Sequence, residues 1–116
     1  MMNQVIVVGR LVATPEVRET ENGKKVTNVT LAVPRSYKNM DGNYDTDFIE
    51  CTLFNAIATN TSEYCKKGDV VGVKGRIQID NYEKDGVKKK VTQIIADKVT
   101  FLSSAKEHQK DDELEV

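Results

Sequence analysis

The sequence predicts an all-β fold: a small closed barrel of five strands with one short helix between strands 3 and 4. Three observations predict it. Apolar and polar residues alternate with a period of two through residues 28–33, 47–54 and 69–82, the pattern of strands with one buried face. Turn signals at Glu21-Asn22-Gly23, Asp41-Gly42 and Lys84-Asp85-Gly86 punctuate the strand-like runs, and glycine takes positive φ there without steric cost. A single helix-like segment, 55–67, interrupts the series. With 116 residues the chain has room for one domain.

Each element has its own justification. Residues 3–13 are rich in β-branched side chains and are broken by Gly9, which in a strand signals a bulge or a sharp bend. Thr14-Pro15-Glu16 ends this strand, and the second carries Val29, Leu31 and Val33 on one face until Pro34 disturbs the register. Positions 38–46 are polar and form the tip of a long hairpin. The third strand, Asp47 to Phe54, puts Ile49, Cys51 and Leu53 on one face and Phe48, Glu50, Thr52 and Phe54 on the other. In the helix, Asn55 is the expected N-cap, Ile57, Thr61, Tyr64 and Cys65 form the inward stripe, and Lys66 and Lys67 occupy the last turn before Gly68. The fourth strand places Val71, Val73, Gly75, Ile77 and Ile79 inward, and Lys74, Arg76, Gln78, Asp80 and Tyr82 outward. Gly72 and Gly75 are expected at bulges. The fifth strand runs from Val87 to about Leu102. Three strands, a helix and two strands in this order describe a five-stranded OB-fold, a Greek-key barrel. Closure would remove exposed strand edges. The domain is expected to span residues 1–105, with 106–116 as a short acidic tail without fixed structure.

Composition narrows the function classes. The chain is 39% hydrophobic and 30% charged, enough for a modest core and too charged for a membrane protein. Val5 to Val8 is too short for a signal or membrane segment and runs into Gly9 and Arg10, so a cytoplasmic protein is expected. Cys51 and Cys65 lie fourteen apart on core faces, and His108 is the only histidine; the inventory offers no metal cluster and no ready general base. The net charge of −1 hides an asymmetry: residues 107–116 carry −4 and the rest +3. A mildly basic body attracts phosphates.

The outward face of the third strand carries Phe48 and Phe54, and Tyr82 shares its face with Lys74 and Arg76. Exposed aromatic rings among cations suit single-stranded nucleic acid, whose bases stack on rings while Lys and Arg neutralise phosphates. The same rings would equally serve a dimer interface or a second small core.

These residues resemble the bacterial single-stranded DNA-binding protein family over roughly positions 2–103. The resemblance rests on Asn3 to Leu11, Pro15-Glu16-Val17-Arg18, Gly23, Val29 to Val33, Asp47 to Phe54, Lys66-Lys67-Gly68 and Gly75-Arg76. It implies an OB-fold assembled as a homotetramer, binding single-stranded DNA in replication, recombination or repair, with neither catalysis nor cofactor. It also implies a stacking platform at Tyr37, Phe48, Phe54 and Tyr82, with Tyr37 assigned by the resemblance alone. The accompanying basic positions are Arg10, Arg35, Lys38, Lys74, Arg76 and Lys84, followed by Lys88, Lys89 and Lys90. Relatives often carry Trp at the platform and basic residues where Asn55, Ala56 and Asp80 stand here, which lowers both the stacking and the electrostatic contribution. The tail keeps the family's acidity at Asp111, Asp112, Glu113 and Glu115, through which relatives recruit replication and repair proteins, but ends in Leu114-Glu115-Val116 without the family's terminal aromatic.

Two other function classes compete. An OB-fold accessory subunit of a primosome-type assembly would use the exposed aromatics on a protein partner, and near-neutral charge favours it. A small nuclease would need carboxylates converging on metal ions, and strand parity assembles no such cluster.

Overall fold

The computed structural model describes residues 1–105. The acidic segment 106–116, with His108 and the four tail acids named above, lies outside the described residues. In chain order the elements are β1 (Val5–Leu11), β2 (Arg18–Glu19), β3 (Lys25–Lys38), β4 (Tyr44–Phe54), α1 (Asn55–Tyr64), β5 (Val70–Lys84) and β6 (Val87–Ser103). The five long strands close on themselves: β1 pairs with β5, β5 with β6, β6 with β4, β4 with β3, and β3 with β1 again. Only β4 and β6 run parallel. This is the expected OB-fold barrel, with its helix between the third and fourth long strands. The two-residue β2 was not expected; it lies against β3, with Arg18 opposite Val26.

Glycines mark where the sheet bends. β1 runs along β5 from Val5 to Arg10 without a register break, then Arg10 and Leu11 also meet Ala32 and Leu31 of β3. Gly9 stands at this switch, and a Cβ there would lie 2.8 Å from Val33 Cγ2 and 2.9 Å from the Ala32 carbonyl oxygen. It therefore provides a bend with close backbone approach, not a bulge. The β5–β6 register does shift at Lys74/Gly75, where a Cβ on Gly75 would lie 2.2 Å from the Ile95 oxygen. Gly72 has no such role, since its pairing with Thr100 continues regularly and a Cβ there would make ordinary contacts.

The inward positions fill the barrel: Leu11, Val29, Leu31, Cys51, Leu53, Val71 and Val73 are all buried in one cluster. Cys51 and Cys65 are free thiols. Burial pushes the Cys51 thiol up to about 11 and raises Cys65 as well, so both stay protonated and unreactive near neutral pH.

The helix differs from expectation in three ways. Asn55 does not cap it; Phe54 is the extended residue before it, no side chain caps the N-terminus, and Asn55 itself has φ 54°. Its amide oxygen instead accepts a hydrogen bond from Lys25 N at 3.4 Å. The helix ends at Tyr64, so Lys66 and Lys67 lie beyond the last turn. Ala58 and Thr61 are the buried positions, while Tyr64 is exposed. Cys65, extended, closes the helix, and in the turn that follows the buried Asp69 carboxylate accepts hydrogen bonds from Lys66 N at 2.8 Å and Ala105 N at 3.0 Å. Gly68, at φ 92°, donates from its N–H to the Leu11 oxygen.

The largest correction concerns Ile77 and Ile79, expected inside and found 42% and 48% exposed. β6 pairs with β4 only at Ile94 and Ile95, and beyond the Thr52–Gln93 side-chain contact the β5–β6 hairpin overruns the barrel as a two-stranded ribbon. Its inward side has no core to meet. The ribbon turns through Asp85 and Gly86, both at positive φ, the two-residue turn suited to a twisted hairpin.

Candidate nucleic-acid interface

Strand parity sends the even residues of β4 to the outside of the barrel, opposite Cys51 and Leu53. Phe48, Glu50, Thr52 and Phe54 therefore share one face, as expected. Across the sheet, Phe54 lies opposite Val26 and Val26 lies opposite Arg18, so the two-residue β2 puts a cation in line with the Phe54 ring. On its other flank β4 meets β6, and Thr52 Oγ1 donates to Gln93 Oε1 at 3.4 Å. These strands frame an open groove of about 540 Å³ lined by Arg18, Asn28, Glu50, Thr52, Phe54 and Gln93. Phe54 is half-buried in this wall, and Phe48 stands 68% exposed further along the strand.

The outer face continues onto the ribbon. Gln78 Nε2 donates to Asp80 Oδ1 at 3.1 Å, and Gln93 Nε2 donates to Asp80 Oδ2. Arg76 Nη1 donates to Gln78 Oε1 at 2.9 Å. This chain of side chains ties β5 to β6 and on to Thr52 of β4. Tyr82 and Lys84 follow on the same side, paired with Lys89 and Val87. Lys88 and Lys90 project from the opposite side, beside Asn81 and Glu83. The lysine run is thus divided between two faces.

The remaining expected site residues separate. Arg10 Nη1 donates to the Gly68 carbonyl oxygen at 2.8 Å, so its guanidinium braces the turn beneath the helix. Arg35 forms a two-pronged ion pair with Asp47, with Nη2 2.9 Å from Oδ1 and Nε 3.1 Å from Oδ2. That hydrogen bond, together with charge attraction, raises the Arg35 guanidinium further and holds the Asp47 carboxyl below the usual carboxylate range. Tyr37 packs beside Arg35, whose guanidinium carbon lies 6.0 Å from the ring centre. Asp47 and Phe48 are neighbours in β4 and point to opposite sides. Tyr37 therefore accompanies Asp47 on the far side of the β3–β4 hairpin from Phe48. Lys38 Nζ lies 5.8 Å from the Tyr44 ring centre at the hairpin end. Lys74 is opposite Ile6 of β1, around the barrel from the groove.

Sequence reasoning missed Arg18, Asn28 and Gln93 as parts of the groove. Asn28 was legible as an outward position of its strand, whereas Arg18 became a wall only through a two-residue strand too short to show a period. Among the described residues no group of His, Cys, Asp and Glu is placed to hold a metal ion, and no helix is long and apolar enough to cross a membrane.

A closed five-stranded OB barrel whose outer face carries a ring, cations and amide side chains belongs to the class of oligonucleotide- and oligosaccharide-binding modules. The family model described as the single-strand binding protein family matches residues 2–102. The chain is 50% identical over 103 residues to the Single-stranded DNA-binding protein B of Bacillus subtilis, covering 88% of this chain and 91% of that protein. It is 46% identical over 105 residues to the Single-stranded DNA-binding protein of Oceanobacillus iheyensis and 47% over 103 residues to that of Bacillus cereus. The matches span 65% and 61% of those two longer relatives. The chain belongs to the single-strand binding protein family, a non-catalytic DNA-binding family.

Proposed function

We propose that this chain binds single-stranded DNA without strong sequence dependence, by stacking bases on outer-face rings and neutralising phosphates with nearby cations. The observation that carries the reading is the groove in which Phe54, Arg18 and Asn28 meet on one outward surface. The names of the relatives support the ligand. Phe48, Phe54 and Tyr82 form the stacking series along this face, with Arg18, Arg76, Lys84 and Lys89 as phosphate partners. Tyr37 adds a ring on the other side of the β3–β4 hairpin, which suits a strand that wraps around it. Replacing Phe54 with Ala is expected to weaken oligo-dT binding by about 1 kcal/mol or more while leaving the circular dichroism spectrum unchanged. An unaltered affinity removes Phe54 from the platform.

The reading extends to a homotetramer working in cytoplasmic DNA replication, recombination or repair. Support for self-association comes from Ile6, Val8 and Leu102, exposed by 70%, 50% and 51% around Gly72 on the outside of the barrel. Such a contiguous apolar stripe marks a contact surface. Light scattering is expected to give four times the chain mass, and a monomer would refute the assembly. The tail acids Asp111, Asp112, Glu113 and Glu115 are proposed as the contact for replication or repair proteins, to be tested by pull-down with and without residues 106–116.

A further inference from the structure

Between Ile77 and Ile94 the β5–β6 hairpin is exposed except at Gln78, Asp80 and Gln93, which are half-buried. They sit where the hairpin leaves the barrel, and their side chains are bonded in a defined direction. Arg76 Nη1 donates to Gln78 Oε1 at 2.9 Å, and Thr52 Oγ1 donates to Gln93 Oε1 at 3.4 Å. Each glutamine then turns its amide nitrogen to Asp80: Gln78 Nε2 donates to Oδ1 at 3.1 Å, and Gln93 Nε2 donates to Oδ2. An ionised carboxylate only accepts hydrogen bonds, so Asp80 ends both chains of donors at once. Asparagine would offer one acceptor oxygen in place of two and set its own NH2 against a glutamine NH2. Asp80 therefore joins β5 to β6 and, through Gln93 and Thr52, to β4. Tyr82 follows two residues on along the same side of β5, 45% exposed, with Lys89 opposite it.

We propose that Asp80 is a positioning residue for the bound strand: its carboxylate fixes the direction of the β5–β6 ribbon against β4, so that Tyr82 lines up with the Phe54 groove. By charge alone Asp80 opposes binding, because it repels the phosphates that Arg76 and Lys84 attract. Its contribution comes through Tyr82. A two-stranded ribbon holds its own shape weakly in water, and this one follows a register shift at Lys74/Gly75. A ring near its end meets a base stacked at Phe54 only when the ribbon's direction is set, and setting it beforehand spares the cost of ordering it on binding. The bonded path runs from Thr52, which lines the groove with Phe54, through Gln93 to Asp80 beside Tyr82. The proposal rests on the single-strand reading above and adds which residue aligns its two rings.

The test is the affinity for oligo-dT, at one fixed salt concentration, of the full chain and its Asp80→Ala, Asp80→Asn and Asp80→Glu variants, each made with and without Tyr82→Ala. Removing a repelling charge would by itself tighten binding. Positioning predicts the opposite sign: Asp80→Ala and Asp80→Asn are expected to weaken binding by about threefold or more. Asp80→Glu, which keeps a carboxylate that only accepts, is expected to lose less. Once Tyr82→Ala has removed the ring, the same substitutions are expected to weaken binding no further, a coupling that a general loosening of the fold would not produce. Unchanged or tighter binding by Asp80→Ala, or an equal loss with and without Tyr82, overturns the proposal and leaves the single-strand reading standing. If the native chain does not bind oligo-dT, that reading fails and this proposal falls with it.

Discussion

Val73 and Ile77 lie on the same side of β5, four residues apart, yet Val73 is 1% exposed and Ile77 42%. The difference is what stands opposite. At Val73 the strand is part of the barrel wall, flanked by β1 and β6, and its side chain belongs to the same buried cluster as Leu11, Leu31 and Leu53. At Ile77 the pairing with β1 has ended and only the Asn3 side chain reaches β5, bonding the Ile77 N–H and carbonyl; beyond it the hairpin continues as a ribbon. In the wall, alternation translates directly into burial and hence into stability. In the ribbon the same alternation gives two solvent-facing surfaces, available for a ligand or another copy of the chain.

That contrast can be broken most severely in the core. Leu31→Ala is expected to cost about 2 to 5 kcal/mol in a urea titration, whereas Ile79→Ala is expected to change stability by no more than about 0.5 kcal/mol. Equal losses would mean that the ribbon is packed as firmly as the wall. Asp69→Ala comes next, since it strips acceptors from the backbone N–H groups of Lys66 and Ala105. About 1 to 3 kcal/mol is expected, and a neutral result would show that water replaces the carboxylate.

Smaller effects are expected in binding, from charges on the barrel's outer surface. Arg18→Ala is expected to reduce the slope of log affinity against log salt for oligo-dT by about 0.7, the value for one phosphate contact on a single strand. An unchanged slope would place Arg18 off the path of the DNA. Asp47→Asn removes the closer of the two ion pairs of Arg35, leaving Asp45 at 3.8 Å, so the slope is expected to steepen, by at most the same amount. Because Arg35 holds the Asp47 carboxyl low, the pair stays intact above the ordinary carboxylate range. Acid releases it only below that range, so Arg35 contributes no pH dependence between pH 5 and 8. A binding change across that interval that disappears in Asp47→Asn would contradict this.

The barrel was legible in the sequence because its physics is local: period-two alternation, glycines at bends and short polar turns fix five strands and their inward residues. Leu31, Cys51, Leu53 and Val73 were assigned correctly on that basis. Ile77 and Ile79 were not, because alternation reports which residues share a side and says nothing about where the facing strand ends. Asn55 was misassigned for a similar reason: a polar residue before a helix suggests a cap, but here it absorbs the sharp turn out of β4 and its side chain reaches Lys25. On the candidate face, the outward placement of Phe48 and Phe54 was visible by parity. The loss of Arg10 to Gly68 and of Arg35 to Asp47 depends on contacts across 58 and 12 residues of chain, which no strand pattern encodes. Arg18 acquires meaning only when β2, β3 and β4 lie side by side.

The central claim is that the outer face binds single strands by stacking and counterion release together. Fluorescence anisotropy with oligo-dT and a duplex of equal length, each across a salt series, tests both parts at once. The account predicts much tighter binding to dT than to duplex, with affinity falling as salt rises. Equal binding to both ligands, or to neither, would contradict it and leave the aromatic face to a protein partner.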